Sequence, residues 1–198
     1  MRAREWADKQ RKYRCIMCGY VGRQADFYDG KVACPNCNDS GRYRQNFPEN
    51  SNYPSLLQSM HILFHVPDKS IQGIVVNLFV TAYELWFEEL FRYNMLNRDV
   101  IGSLTEHIIN EARSFERKKR LFHALTRHYF DFAVERIGAM DTVARIEHFV
   151  RLRNMMVHSG DMKIEGRALE ECLTLAEKLP MVFRKLNNDY FLWKKSGR

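Results

Sequence analysis

The sequence lacks an uninterrupted apolar segment long enough to cross a membrane. Its most apolar run, residues 71–87, is broken by Gln72, Asn77 and Glu84, whereas a transmembrane helix needs about 20 mostly apolar residues. The run therefore predicts a buried helix. The first 15 residues are charged and contain no apolar core segment, so we expect no secretory signal.

Several sequence phrases that mark whole enzyme classes are also missing. The chain contains no glycine-rich phosphate loop, no serine-nucleophile phrase and no EF-hand phrase. His61 and His65 lie four positions apart, but no acidic residue completes the phrase of a zinc protease. These absences argue against phosphate-loop NTPases, serine hydrolases of the elbow type, EF-hand calcium proteins and zinc proteases.

Positive charge is concentrated near the start of the chain. There are 31 Lys and Arg against 24 Asp and Glu, a formal net charge of +7. Residues 1–44 hold ten basic and five acidic residues, a net +5, while residues 45–198 hold 21 and 19, a net +2. Such a basic segment favours an acidic partner such as nucleic acid, although an ordinary solvated face has the same composition.

Four of the five cysteines form two Cys-x-x-Cys pairs separated by fifteen residues: Cys15 and Cys18, then Cys34 and Cys37. Two such turns provide the four thiolates that Zn²⁺ binds tetrahedrally in structural sites. No secretory context accompanies them, so we expect one structural zinc ion per chain and a reducing, cytoplasmic compartment. A redox dithiol and an iron–sulfur centre are the alternatives.

Residues 14–38 resemble a zinc ribbon, a small β module that its metal holds together. Alternating apolar residues and Asp29-Gly30 predict a β-hairpin between the two cysteine pairs. Basic residues and three tyrosines (Tyr13, Tyr20, Tyr43) in this part of the chain suit phosphate contact and base stacking. An equal alternative is a dimerisation or docking module with a charged exterior. The candidate RNA-binding residues are Arg11, Lys12, Arg14, Arg23, Lys31, Arg42 and Arg44.

The pattern becomes helical after residue 55, and five or six helices are predicted. We divide the chain into a basic arm with the zinc ribbon (residues 1–44), a linker (45–55) and an all-α domain (56–198). Residues 117–137 predict one amphipathic helix. Its basic start, residues 117–120, is interpreted as a solvated face. This face would flank an RNA groove if it lay beside the polar cluster that is described next.

That polar cluster is Arg153-Asn154-x3-His158, near the end of a helix predicted over residues 141–160. Asn154 and His158 are four positions apart and share a helix face. The residues between them are apolar, and Ser159-Gly160 indicates that the helix ends directly after His158. The alternative is structural, because a histidine near a helix C-terminus is favoured by the helix dipole.

Residues 56–195 resemble the HEPN superfamily (higher eukaryotes and prokaryotes nucleotide-binding). Its all-α domains carry an Arg-polar-x3–5-His motif in a late helix, which Arg153, Asn154 and His158 match. Many members also carry an acidic residue in their long core helix, within a phrase similar to VTAYELWFEELF (80–91). The acidic residue here would be Glu84, with Glu88 one turn later. The expected fold is thus mainly α, an HEPN-like bundle after a small β zinc ribbon.

The resemblance implies a metal-independent endoribonuclease of a toxin–antitoxin or anti-phage system, acting as a homodimer whose two motifs form one cleft. Other members are noncatalytic binding modules. His158 would transfer protons, Arg153 would stabilise phosphorane charge and Asn154 would orient the phosphate or the imidazole. Glu84 would hold Arg153 or His158 in place, unless it is a surface or capping acid. RNA and a neutralising antitoxin or defence-complex partner are the implied partners, with no membrane.

Overall fold

The computed structural model describes residues 2–10, 12–23, 27, 33–39, 44–48, 52–68, 70–96, 98–161 and 163–192. Over these residues the protein is mainly helical, with eight α-helices and one three-stranded sheet. The predicted class, mainly α with a small β part, is confirmed. Among the described residues, every helix is too short or too polar to cross a membrane.

The elements follow one another as a mixed N-terminal segment and then a run of helices. They are α1 (Ala3–Lys9), β1 (Lys12–Cys15), β2 (Val21–Gly22), β3 (Arg44–Phe47), α2 (Tyr53–Phe64), α3 (Gly73–Leu96), α4 (Gly102–Glu111), α5 (Phe115–Thr126), α6 (Phe130–Arg136), α7 (Met140–Ser159) and α8 (Gly166–Tyr190).

The long helix α3 forms the centre of the helical body and contacts α2, α4, α5, α7 and α8. Its apolar residues point to several sides because it is surrounded, as its composition predicts. Trp86 is fully buried, stacks on Phe183 of α8 at a centroid distance of 5.6 Å and donates to the Tyr53 hydroxyl of α2 at 2.8 Å. One side chain thus joins three helices and also satisfies its own polar atom.

The predicted count of five or six helices is too low, because seven are described from Tyr53 to Tyr190. Residues 117–137 do not form one helix: α5 ends at Thr126, and Arg127 takes a left-handed conformation with φ of 64°. In a continuous helix Phe122 and Phe130 would lie about 12 Å apart along the axis. The break brings their rings to 5.4 Å, edge to face, within the core.

The sheet has the order β2-β1-β3, and both neighbours of β1 are antiparallel to it. β1 and β2 are joined through the first cysteine turn. β3 comes from the start of the segment that we predicted as a linker, and its Phe47 packs edge to face on Trp86 at 5.1 Å. The predicted turn at Asp29-Gly30 lies outside the described residues.

Side chains of α8 hold the start of β2 in place. Asn188 accepts from the Val21 amide and donates to the Val21 carbonyl, both at 2.8 Å, which imitates the pairing of a further strand. Asn187 donates to the carbonyl of Gly19 at 2.7 Å. The segment that carries the cysteines is therefore attached to the helical body by defined hydrogen bonds.

Candidate functional site

The four paired cysteines converge on one point. Their Sγ atoms all lie within 4.8 Å of one another, with 3.8 Å between Cys15 and Cys37 and 3.6 Å between Cys18 and Cys34. Around a tetrahedral ion with a metal–sulfur distance of about 2.3 Å, neighbouring sulfurs lie about 3.8 Å apart, whereas a disulfide needs about 2.05 Å. The spacing fits a metal and does not fit disulfides.

The two cysteine turns have the same backbone design. In the first, the Gly19 amide donates to the Cys15 carbonyl at 2.8 Å, and Gly19 has a φ of 75°. In the second, the Asn38 amide donates to the Cys34 carbonyl at 2.9 Å, and Asn38 has a φ of 57°. Both turns need a left-handed residue directly after the second cysteine, and glycine and asparagine are the residues that adopt this conformation most readily.

Burial raises the pKa of Cys15 and raises the pKa of Cys18 to about 11. Without a metal these two thiols keep their protons at neutral pH, so a metal ion must displace these protons when it binds. The fifth cysteine, Cys172, is fully buried in α8 and takes no part in this cluster.

A second candidate site is a pocket of about 310 Å³ between α3, α5 and α7. Arg153 and Asn154 line it from α7, and Glu84 lines it from α3. Arg153 Nη2 donates to Glu84 Oε1 at 3.0 Å, and the two side chains are 26% and 30% exposed. Because both are more than two-thirds shielded, the pair is weakly screened by solvent and sets the orientation of the guanidinium.

Further charged and polar side chains surround this pair. Lys118 is buried, and its Nζ donates to the Arg113 carbonyl at 2.9 Å. Burial lowers the pKa of Lys118, and the nearby carboxylates of Glu84 and Glu88 oppose that shift. The complete lining is Tyr83, Glu84, Arg113, Ser114, Phe115, Glu116, Lys118, Glu147, Val150, Arg151, Arg153 and Asn154.

Two donors at the pocket are unsatisfied. The hydroxyl of Tyr83 and the Nε of Arg153 are both buried, and neither has a hydrogen-bond partner among the described residues. A buried donor without a partner costs about 1–3 kcal/mol, so these two atoms mark the place where a ligand or water would be most favourable.

His158 lies apart from the other predicted catalytic residues. Helix α7 continues to Ser159, and Gly160 ends it with a φ of 71°, as predicted. His158 is therefore in the last turn, exposed and outside the pocket lining, about 6 Å along the axis from Asn154. The structure brings Glu84, Arg153 and Asn154 together at the pocket, and it leaves His158 on the surface outside the pocket lining.

The predicted RNA-binding residues do not form one described surface. Arg23 is exposed, whereas Lys12 is half-buried and donates to the Gln10 carbonyl at 3.5 Å. Arg14 is only 1% exposed, with its guanidinium over the Tyr93 ring, so the prediction that it contacts phosphates is wrong in this structure. Three others, Arg11, Lys31 and Arg42, lie outside the described residues, as do Tyr43 and the side chain of Arg44.

Tyr83, Arg113 and Lys118 are among the pocket residues that the sequence analysis did not assign to the site. The residues 117–120 were read as a solvated face, which is wrong for Lys118. A signal was available: Lys118 lies three positions after Phe115 and four before the buried Phe122, so the helical period places it on the inward face.

Comparison with known proteins gives no relative: the chain matches no family model, no curated protein and no solved structure.

Proposed function

We propose that the protein is a metal-independent endoribonuclease of the HEPN type. The observation that carries the proposal is Arg153, fixed by Glu84 and adjacent to Asn154, at a pocket with a surplus of cations and unsatisfied donors. A guanidinium held in this way suits a phosphate that gains negative charge during reaction.

In the proposed reaction the 2′-oxygen of a ribose attacks the adjacent phosphorus. The P–O5′ bond breaks, the 2′-hydroxyl proton leaves to a base and the departing 5′-oxygen takes up a proton. The products are a 2′,3′-cyclic phosphate and a 5′-hydroxyl. Arg153 stabilises the phosphorane oxygens, Asn154 orients the phosphate and His158 transfers a proton near neutral pH. Glu84 acts through Arg153 as a positioning residue.

We also propose that the working form is a homodimer. Met155 and Val157 lie within the motif, between Asn154 and His158, and are 60% and 62% exposed, which leaves apolar surface beside those two residues. A second copy packed there would cover these side chains and bring two copies of His158 to one cleft. A neutralising or defence-complex partner would bind the same face.

For the cysteine cluster we propose structural Zn²⁺, since four thiolates at these distances form the closed tetrahedral site that zinc favours. The ion would hold the cysteine segment together and take no part in cleavage. The exposed basic side chains of this segment, such as Arg23, would recruit RNA or a partner.

The test compares wild type with His158→Ala on a structured RNA in buffer containing EDTA. His148→Ala is the matched control, because His148 is also exposed on α7. We expect cleavage to cyclic phosphate ends by wild type and by the control, with a loss of about 100-fold or more in the His158 variant. Equal cleavage by all three proteins would remove the catalytic claim.

A noncatalytic nucleic-acid-binding module is the second candidate, favoured by the position of His158 outside the pocket lining. It requires RNA binding that weakens as salt increases, because phosphate contacts release counterions, together with no cleavage by wild type.

A further inference from the structure

We infer that the pocket between α3, α5 and α7 binds one nucleotide unit, and that the Tyr83 hydroxyl donates a hydrogen bond to it. The inference rests on the proposed function for the identity of the ligand as part of an RNA strand, with this nucleotide adjacent to the scissile phosphate at Arg153. The pocket of about 310 Å³ falls at the small end of ligand sites, which span about 300–1,000 Å³.

The unsatisfied donors determine which atoms the ligand must present. Tyr83 is 2% exposed and lines the pocket, yet its hydroxyl has no partner among the described residues. Burial, helped by the charges of Glu147 and Glu84, raises the pKa of Tyr83, so the hydroxyl keeps its proton and acts as a donor. Arg153 Nε likewise lacks a partner among the described residues, and the two donors together favour a ligand rich in acceptor oxygens.

The charges on the walls favour an anion. Four cations and three carboxylates line the pocket, and Glu84 is already paired with Arg153. Among the lining residues, Arg113, Lys118 and Arg151 are then set against two further carboxylates, Glu116 and Glu147. Ser114 caps α5 by accepting from the Arg117 amide, which places the positive end of that helix at the same wall. A phosphate is the anion that these groups suit.

The remaining walls suit the rest of a nucleotide. Phe115 and Val150 provide apolar surface for a base, and Glu147, whose side chain is 26% exposed, can accept from an exocyclic amino group. An inorganic phosphate would use only the cationic part of this pocket, whereas a nucleotide would use both parts. Tyr83→Phe removes one oxygen and keeps the ring, so it tests the hydroxyl with little change in the shape of the pocket.

The test is calorimetric titration with the four 5′-mononucleotides and with inorganic phosphate, using wild type, Tyr83→Phe and Tyr190→Phe. Tyr190 is the matched control, because its hydroxyl is also buried without a described partner but lies outside the pocket lining. We expect Tyr83→Phe to weaken binding of at least one nucleotide by roughly 5- to 150-fold, the loss of one buried hydrogen bond. Tyr190→Phe should bind as wild type.

Thermal unfolding separates binding from folding. Neither substitution removes a described hydrogen bond, so both variants should keep the melting temperature of wild type or exceed it. Unchanged nucleotide affinity in Tyr83→Phe, or phosphate binding as tight as nucleotide binding, would overturn the inference. Nucleotide binding that depends on Tyr83, in a protein that leaves RNA intact, would support the pocket while refuting the nuclease. RNA cleavage that depends on His158, with nucleotide binding that does not depend on Tyr83, would support the nuclease while refuting the inference about the pocket.

Discussion

Arg153 on α7 donates to Glu84 on α3 at 3.0 Å, although the two residues are 69 positions apart in the sequence. The contact joins the central helix to the helix that carries the Arg-Asn-x3-His motif. Arg153 Nε has no hydrogen-bond partner in the part of the chain that the structure describes, so the guanidinium is fixed on one side and still able to donate on the other. A cation that is already fixed and still has an unused N–H donor is a good anion site, because little side-chain entropy is lost when a ligand binds.

The first prediction concerns the strength of this pair. In a double-mutant cycle with Glu84→Gln and Arg153→Gln we expect a coupling free energy of about 1 kcal/mol, since both partners are more than two-thirds shielded. Urea unfolding measures it. The matched control is Arg117 with Glu111, a pair 3.6 Å apart whose side chains are 62% and 67% exposed. Equal coupling in the two pairs would show that shielding does not strengthen the first.

The second prediction concerns the cysteine cluster. Cys34→Ala should lose most of the bound metal and lower the melting temperature, because three thiolates leave the tetrahedral set incomplete. Cys172→Ala, which changes a buried cysteine outside the cluster, should keep the metal content of wild type. Elemental analysis of the purified proteins measures both. Full metal content in Cys34→Ala would place the metal elsewhere.

Local features of the fold were predictable from the sequence, because each depends on neighbours along the chain. The two cysteine turns follow from their spacing, and the end of α7 follows from Gly160. Features that depend on tertiary packing were not. The break after Thr126 allows the contact between Phe122 and Phe130. The sequence pattern of residues 117–137 does not predict this break.

Some residues of the candidate site were also predictable from the sequence, and others were not. Glu84, Arg153, Asn154 and His158 were predicted as a set; the first three line one pocket, whereas His158 lies outside its lining. Tyr83 and Lys118 were missed, because a tyrosine within an apolar helix and a lysine within a basic run each have an ordinary explanation. Arg14 was assigned to the surface on charge alone, whereas its position directly before Cys15 places it between the sheet and α3.

The third prediction concerns that buried arginine. Arg14 is 3.6 Å from the buried carboxylate of Glu89 and donates to Gln45 at 3.0 Å. Arg14→Met should destabilise the protein by about 3 kcal/mol, because the buried carboxylate of Glu89 then loses the cation of Arg14. Adding Glu89→Gln to Arg14→Met should recover part of the loss. Urea unfolding checks this, with Arg120→Met, a change of an exposed arginine on α5, as a control that stays within about 0.5 kcal/mol of wild type.

The last prediction compares Glu88 and Glu106, two carboxyl groups whose pKa values are shifted in opposite directions. Burial raises the pKa of Glu88, despite the nearby cations Arg92 and Lys118. The hydrogen bond from Arg92, at 2.6 Å, lowers the pKa of Glu106. With a raised folded-state pKa, Glu88 binds protons more readily in the folded protein, so its ionisation costs stability as the pH rises through the carboxyl range. Glu106 contributes stability above its unfolded pKa and loses it as the pH falls.

Substitution by glutamine should therefore act in opposite directions. At pH 7, Glu88→Gln should raise the free energy of unfolding and Glu106→Gln should lower it. The Glu106 change should be less than about 1 kcal/mol, because that side chain is 51% exposed. Both differences should shrink as the pH is lowered towards 3, where the wild-type carboxyls become protonated. Urea unfolding between pH 3 and pH 7 measures them, and a shift of the same sign in both variants would contradict the assignment of burial to one carboxyl and ion pairing to the other.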